Sequence, residues 1–243
     1  MNITMCLSKI SRIAKAIVGK INYWYVLYVA KEEAAVLLHK WHKDKGDSLI
    51  RFDYQLGNKS VVFDVGGYKG DFAFRINQLF GCRVFVFEPA NLFYQDCKTR
   101  FIGNSKIKTY NYGVSDVAES AVLNLNTSGS TLFPEELPPN MESKLATEQV
   151  SLRTLPDILE ELEVSMVDLM ELNVEGAEFK ILPHLIETGA IKKIRCLQVQ
   201  FHKFFPDATL LRDQIRAKLL ETHDELYCYP FVWESWVLRA SRK

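Results

Sequence analysis

The chain has 243 residues, 48% of them hydrophobic and 25% charged, the balance of an ordinary globular protein that can bury a sizeable core. Thirty basic against thirty acidic side chains give a formal net charge of zero, so bulk electrostatics speak against a dedicated nucleic-acid binder. Five cysteines (Cys6, Cys82, Cys97, Cys196 and Cys228) are odd in number and widely spaced, which suggests neither a disulfide framework nor a zinc knuckle and fits a reducing, cytoplasmic compartment best.

The first 31 residues carry five basic groups (Lys9, Arg12, Lys15, Lys20 and Lys31) and no acid. Leu7, Ile10, Ala14, Ile17 and Ile21 recur at helical spacing with Lys9, Arg12 and Lys20 opposite. That pattern suits a basic helix docked on its own domain, with peripheral membrane contact as the alternative. The apolar run Tyr23 to Ala30 is far short of the roughly 20 residues that span a bilayer, and its tyrosines and tryptophan do not suit a cleaved signal peptide. Trp24, Leu27, Tyr28, Ala35, Leu38 and Trp41 keep a helical period, so a second helix is expected from Asn22 to about Lys43, stopped by Gly46. A helical segment over residues 1–50 would thus precede one domain over residues 51–243.

From Val61 onward short β-branched or aromatic runs alternate with helical stretches: Ser60 to Val65, Arg83 to Phe87, Lys106 to Tyr112, Val167 to Leu172 and Ile194 to Phe201. Such alternation predicts a parallel sheet covered by helices. Glu225 to Tyr229 and Ser235 to Ala240 lie too close for a crossover helix and should form an antiparallel hairpin. The proline-containing stretch Thr127 to Gln149 is expected to be a long loop, either a lid or a mobile surface segment.

Chemistry concentrates where the first strand runs into Asp64-Val65-Gly66-Gly67-Tyr68-Lys69-Gly70-Asp71 and a helix follows. Glycines there let the backbone approach a ligand, while the helix N-terminus offers free N–H groups. Glu88 ends the second strand, where an acid can accept hydrogen bonds from both hydroxyls of a ribose. A dinucleotide fingerprint would need glycine at Val65, and a P-loop would need Ser or Thr after a Gly-Lys pair, so both fail. Asp64 beside the glycines disfavours a pyrophosphate but suits a cationic cofactor, and S-adenosylmethionine is one that carries a ribose and no phosphate.

At this point the chain resembles the FkbM-type S-adenosylmethionine-dependent methyltransferases. The matching blocks are VVFDVGGYKGDF from Val61, VFVFEPAN from Val84, YGVSD from Tyr112, SLRTLPDIL from Ser151, VDLMELNVEGAEFKIL from Val167 and VQFH from Val199, in the family's order. The resemblance implies a Rossmann-like class I methyltransferase, with a doubly wound, mostly parallel seven-stranded sheet and an antiparallel C-terminal strand. It also implies O-methylation of a hydroxyl, often of a sugar in a glycan or natural product. On that resemblance Asp64, Gly66, Gly67 and Gly70 cradle the cofactor, Glu88 holds its ribose, and Ser115 and Asp116 lie near the adenine.

Asn173, Glu175 and Glu178 follow the fourth strand and would orient the acceptor, with His202 at the end of the fifth as general base. Where the family writes Lys-Ile-Asp before Val-Glu-Gly this chain has Glu171, Leu172 and Asn173, and Gln200 replaces the acid of Val-Glu-Phe-His. The lost carboxylates argue against a metal. They also raise two rivals to the methyltransferase: a catalytically inert cofactor-binding protein and, more remotely, a nicotinamide-dependent oxidoreductase. Tyr227, Tyr229, Phe231, Trp233, Glu234 and Trp236 in the terminal hairpin would suit carbohydrate recognition, although burial of the rings against a neighbouring helix is the favoured reading.

Overall fold

The computed structural model describes residues 33–125, 130–132, 146–203 and 206–239. The helix expected before Asn22 and most of the stretch from Thr127 to Gln149 lie outside the described residues. The chain divides into two compact units, Met1–Arg51 and Phe52–Lys243. In the first, helix α1 (Glu33–Lys43) ends as the sequence predicts, and the reason for Gly46 is space: a Cβ there would lie 2.0 Å from the ring of the buried Trp41.

The second unit is built on strands β1 (Val61–Val65), β2 (Arg83–Phe87), β3 (Ile107–Tyr110), β7 (Leu169–Leu172), β8 (Cys196–Val199), β9 (His223–Tyr229) and β10 (Trp233–Leu238). They form one seven-stranded sheet in the order β3-β2-β1-β7-β8-β10-β9. The five on the β3 side run parallel, and β10 is antiparallel to both β8 and β9, which is the Rossmann-like class I methyltransferase topology.

The sheet is buried on both faces, which is why its strands read as unbroken apolar runs. Phe63, Val65, Phe87, Met170, Leu172, Leu197 and Trp236 share one core with helices α4 (Leu155–Glu161), α5 (Glu178–Glu187) and α6 (Ala208–Leu219). Val62, Val84, Val86 and Leu169 pack on the other side against α2 (Asp71–Phe80) and Cys97 of α3 (Asn91–Arg100). Cys82, Cys97 and Cys196 are free, buried thiols that fill these cores as small apolar groups. Glu160, Glu161 and Glu163 remain on a solvated face around α4.

A three-stranded sheet, in the order β4-β6-β5, comprises β4 (Gly113–Ser115), β5 (Glu119–Leu125) and β6 (Ala146–Thr154). This corrects two expectations. The run from Lys106 to Tyr112 is shorter as a strand, and the chain past it enters the second sheet; the C-terminal end of the expected loop, from Ala146, is strand paired antiparallel to β5. Ala121, Leu123, Leu125, Val150 and Leu152 carry the apolar, period-two side of this sheet, which packs on Phe93 and Ala90.

Candidate active site

Strand order reverses between β1 and β7, and a cavity opens beyond their carboxyl ends, the position at which open α/β sheets bind ligands. Its polar lining includes Glu88, Ser130, Asn173 and Glu175, and its apolar walls come from Tyr68, Phe93, Val114, Leu123, Leu132 and Leu152.

The glycine turn packs against the strand ends. Gly66 has φ +86°, and a Cβ on it would fall 1.9 Å from the Asn173 carbonyl oxygen, so β1 and β7 approach at a distance only glycine permits. Gly66 lines the cavity, whereas Gly67 packs on Val86 and Gly70, with φ +74°, opens α2 against Phe101 and Cys97. Asp64 is buried on the α2 side of β1, and its Oδ2 accepts the Ala73 N–H at 3.1 Å. It therefore orders the helix start rather than lining the cavity. Glu171 is its register partner on β7, and Gln198 on β8 is in turn that of Glu171, so the Glu171 departure lies in a buried row across the sheet. Gln200, which with Asn173 puts an amide where the family has an acid, is absent from the lining.

Glu88 does face the cavity. Its Oε2 accepts the Tyr68 N–H and its Oε1 the Ala90 N–H, each at 2.8 Å. Burial pushes this carboxyl up to about 7 against the pull of those two donors, with Asp64 and Glu148 adding repulsion. Asn173 directly follows β7, with its Oδ1 buried and accepting no hydrogen bond, an acceptor available to a donor in the cavity.

Beyond Asn173 the chain turns sharply, with Glu175 at φ +48° and Gly176 at φ +105°. This places Glu175, Glu178 and His202 together: Glu178 Oε1 is 3.1 Å from His202 Nδ1, and Glu175 Oε2 is 3.4 Å from His202 Nε2. Glu178 is fully buried and also accepts the His202 and Gly176 backbone N–H groups at 2.7 and 2.9 Å. Burial alone would depress the His202 pKa, but the two carboxylates outweigh it and hold the ring at about 10. The shift favours the protonated ring, which has no lone pair to accept a proton, whereas a general base needs one.

Ser115 and Asp116 bond to each other at 2.9 Å and are not among the lining residues, where Gly113 and Val114 stand instead. The hairpin rings are largely inside the fold: Tyr229, Trp233, Glu234 and Trp236 are buried, which answers the carbohydrate-platform expectation in favour of burial. Residues not anticipated as part of the site are Tyr68, Phe93, Leu123, Leu132 and Leu152. Tyr68 stood inside the glycine turn, and the alternation of Ala121, Leu123 and Leu125 was the signal that could have found the second sheet. Among the described residues no cluster of His, Cys, Asp and Glu is arranged to hold a metal ion.

The cavity fits S-adenosylmethionine. An apolar wall accommodates a flat base, Glu88 keeps acceptor capacity for ribose hydroxyls, and Asn173 Oδ1 offers an unpaired acceptor near the glycine turn.

Similarity to solved structures is low. The METTL16 methyltransferase domain is 13% identical with a TM-score of 0.46, over 75% of this chain and 61% of that one. Aeropyrum pernix fibrillarin, crystallised with S-adenosyl-L-methionine, is 12% identical with a TM-score of 0.44, over 75% and 67%. The N-terminal domain of human METTL16 in complex with SAH is 13% identical with a TM-score of 0.43, over 85% and 71%. This chain thus spans about 61% of the METTL16 methyltransferase domain chains it matches. No curated protein matches it in sequence. The model of the methyltransferase FkbM domain, in contrast, matches residues 64–227, which contain the glycine turn, Glu88, Asn173, Glu175, Glu178 and His202. The chain belongs to the FkbM methyltransferase family, whose members use S-adenosylmethionine.

Proposed function

We propose that this protein transfers a methyl group from S-adenosylmethionine to a hydroxyl, that of a sugar in a glycan or natural product. The observation that carries the reading is the pairing, in one cavity of a chain of this family, of the buried Asn173 Oδ1 with the Glu175 carboxylate. An amide can both accept from and donate to a hydroxyl, and a carboxylate can only accept, so together they orient a hydroxyl acceptor. The glycine turn shapes the cofactor end, with Asp64 behind it holding the start of α2, while Glu88 accepts from the ribose. Bound S-adenosylmethionine supplies the activated methyl group. In-line displacement then demands chiefly that the hydroxyl be held in place and water kept out, which the walls of Phe93, Leu123, Leu132 and Leu152 favour.

The test is a calorimetric titration with S-adenosylhomocysteine, with NADH and ATP as controls, followed by a methyl-transfer screen over sugar and other hydroxyl acceptors. Micromolar binding of S-adenosylhomocysteine alone is expected, and its absence overturns the cofactor assignment. Binding without turnover on any acceptor would mark an inert cofactor-binding protein.

A further inference from the structure

We infer that Glu175, and not His202, takes the proton of the acceptor hydroxyl, with Glu178 as the positioning residue that fixes His202 as a countercharge. The inference rests on the methyl-transfer reading above.

Of the three side chains, only Glu175 reaches the cavity. It is also the most open, at 22% exposure against 10% for His202 and none for Glu178. Each ring nitrogen of His202 faces a carboxylate, Nδ1 toward Glu178 and Nε2 toward Glu175. A base needs a free lone pair directed at its substrate, and this ring directs both edges into the protein. Glu178 is equally committed, since its oxygens already take the Gly176 N–H, the His202 N–H and the ring Nδ1.

Glu175 differs in its backbone. A non-glycine residue in the left-handed region is a costly conformation that persists where surrounding structure imposes it, often at functional sites. Here the constraint is visible: the Thr131 hydroxyl donates to the Glu175 carbonyl at 3.0 Å, and Thr131 is itself buried and bonded through both backbone groups to Asn124. The two carboxylates that raise the His202 pKa are those on the β7–α5 turn and on α5, so removing either should free the ring.

As the hydroxyl oxygen bonds to the methyl carbon, and the methyl–sulfur bond gives its electron pair to sulfur, the hydroxyl proton passes to Glu175 and from there to water. His202 keeps its proton throughout.

The experiment combines nuclear magnetic resonance of the 15N-labelled histidine rings with the kinetics of single variants. Wild-type His202 is expected to show both ring nitrogens protonated from pH 6 to 9, and Glu178→Gln to bring its titration into the neutral range. Glu175→Gln should lower turnover by roughly 100-fold, the scale of lost general-base catalysis. It should leave S-adenosylhomocysteine affinity within about threefold, while Glu175→Asp restores part of the rate. His202→Gln should retain turnover within about tenfold of wild type. A neutral wild-type ring at pH 7, or wild-type turnover in Glu175→Gln, overturns the assignment. If Glu178→Gln does not fold, the wild-type ring and the Glu175 pair still decide. A wild-type protein that methylates no hydroxyl fails the proposed function and takes this assignment with it, whereas turnover in wild type and Glu175→Gln alike fails the assignment alone.

Discussion

Glu88 holds two backbone N–H groups and still titrates near neutrality, because desolvation outweighs both donors. Near pH 7 a substantial fraction of the free protein therefore carries a proton on this residue. Ribose hydroxyls that donate to Glu88 favour its ionised form, so cofactor binding should lower its pKa and expel that proton. Calorimetric titrations with S-adenosylhomocysteine at pH 7, in buffers of different ionisation enthalpy, should show a fraction of a proton released per site. Glu88→Gln should bind more weakly, by about tenfold for one lost charged hydrogen bond, and release none. Glu88, Asn173 and Glu175 were all legible as candidates in the sequence, since each ends a strand or follows one at the ligand edge. Their surroundings were not: burial that lifts Glu88, or the second carboxylate that raises the His202 pKa, comes from residues far apart in the chain.

At the scale of elements, the terminal hairpin shows how packing redirects an apparent binding motif. Its aromatic and acidic residues suited a sugar platform as a string, but Glu234 is buried and paired with Arg212 and Arg216 of α6, the former at 2.5 Å. Trp236 is fully buried in the core that α6 helps to close, with the Arg216 guanidinium 4.9 Å from its ring. This pairing ties β10 to the helix that covers it. Glu234→Ala should remove the buried carboxylate that the two guanidinium groups share, leaving Arg212 only Asp213 and Arg216 only Glu225, and destabilise the fold by about 3 kcal/mol, read as a lower urea midpoint with unchanged slope. A mutation with no effect would show the pair to be dispensable. The second sheet escaped the sequence reading for a related reason. Its period-two pattern is short, and its main-chain partners are set by a pairing between Glu119–Leu125 and Ala146–Thr154 that no local signal announces.

For the whole molecule, the two buried titrating groups act on stability in succession. Between 4.5 and about 7, the folded chain keeps a proton on Glu88 that the unfolded chain has released, so stability falls as pH rises through that window. His202 contributes stabilisation that is fully present below 6.5 and is lost as pH rises toward about 10. Thermal melts followed by circular dichroism should therefore show Tm declining from mildly acidic to alkaline pH. Glu88→Gln should flatten the acidic part of that decline and His202→Gln the alkaline part; a Tm that rises steadily from pH 5 to 9 would contradict both. Residues 33–239 contain no described helix long and apolar enough to cross a membrane.

The sequence by itself determined the seven runs of the main sheet, their helical connections, the antiparallel end and the family, because these follow from local periodicity and from motifs contiguous in the chain. Tertiary structure alone decided what each polar group does. Asp64 serves the start of α2 rather than the cavity, and Ser115 and Asp116 pair with each other. Glu175 and Glu178 raise the His202 pKa, and β5 and β6 wall the cavity. Desolvation and hydrogen bonding depend on which groups meet in three dimensions, and a linear pattern records neither.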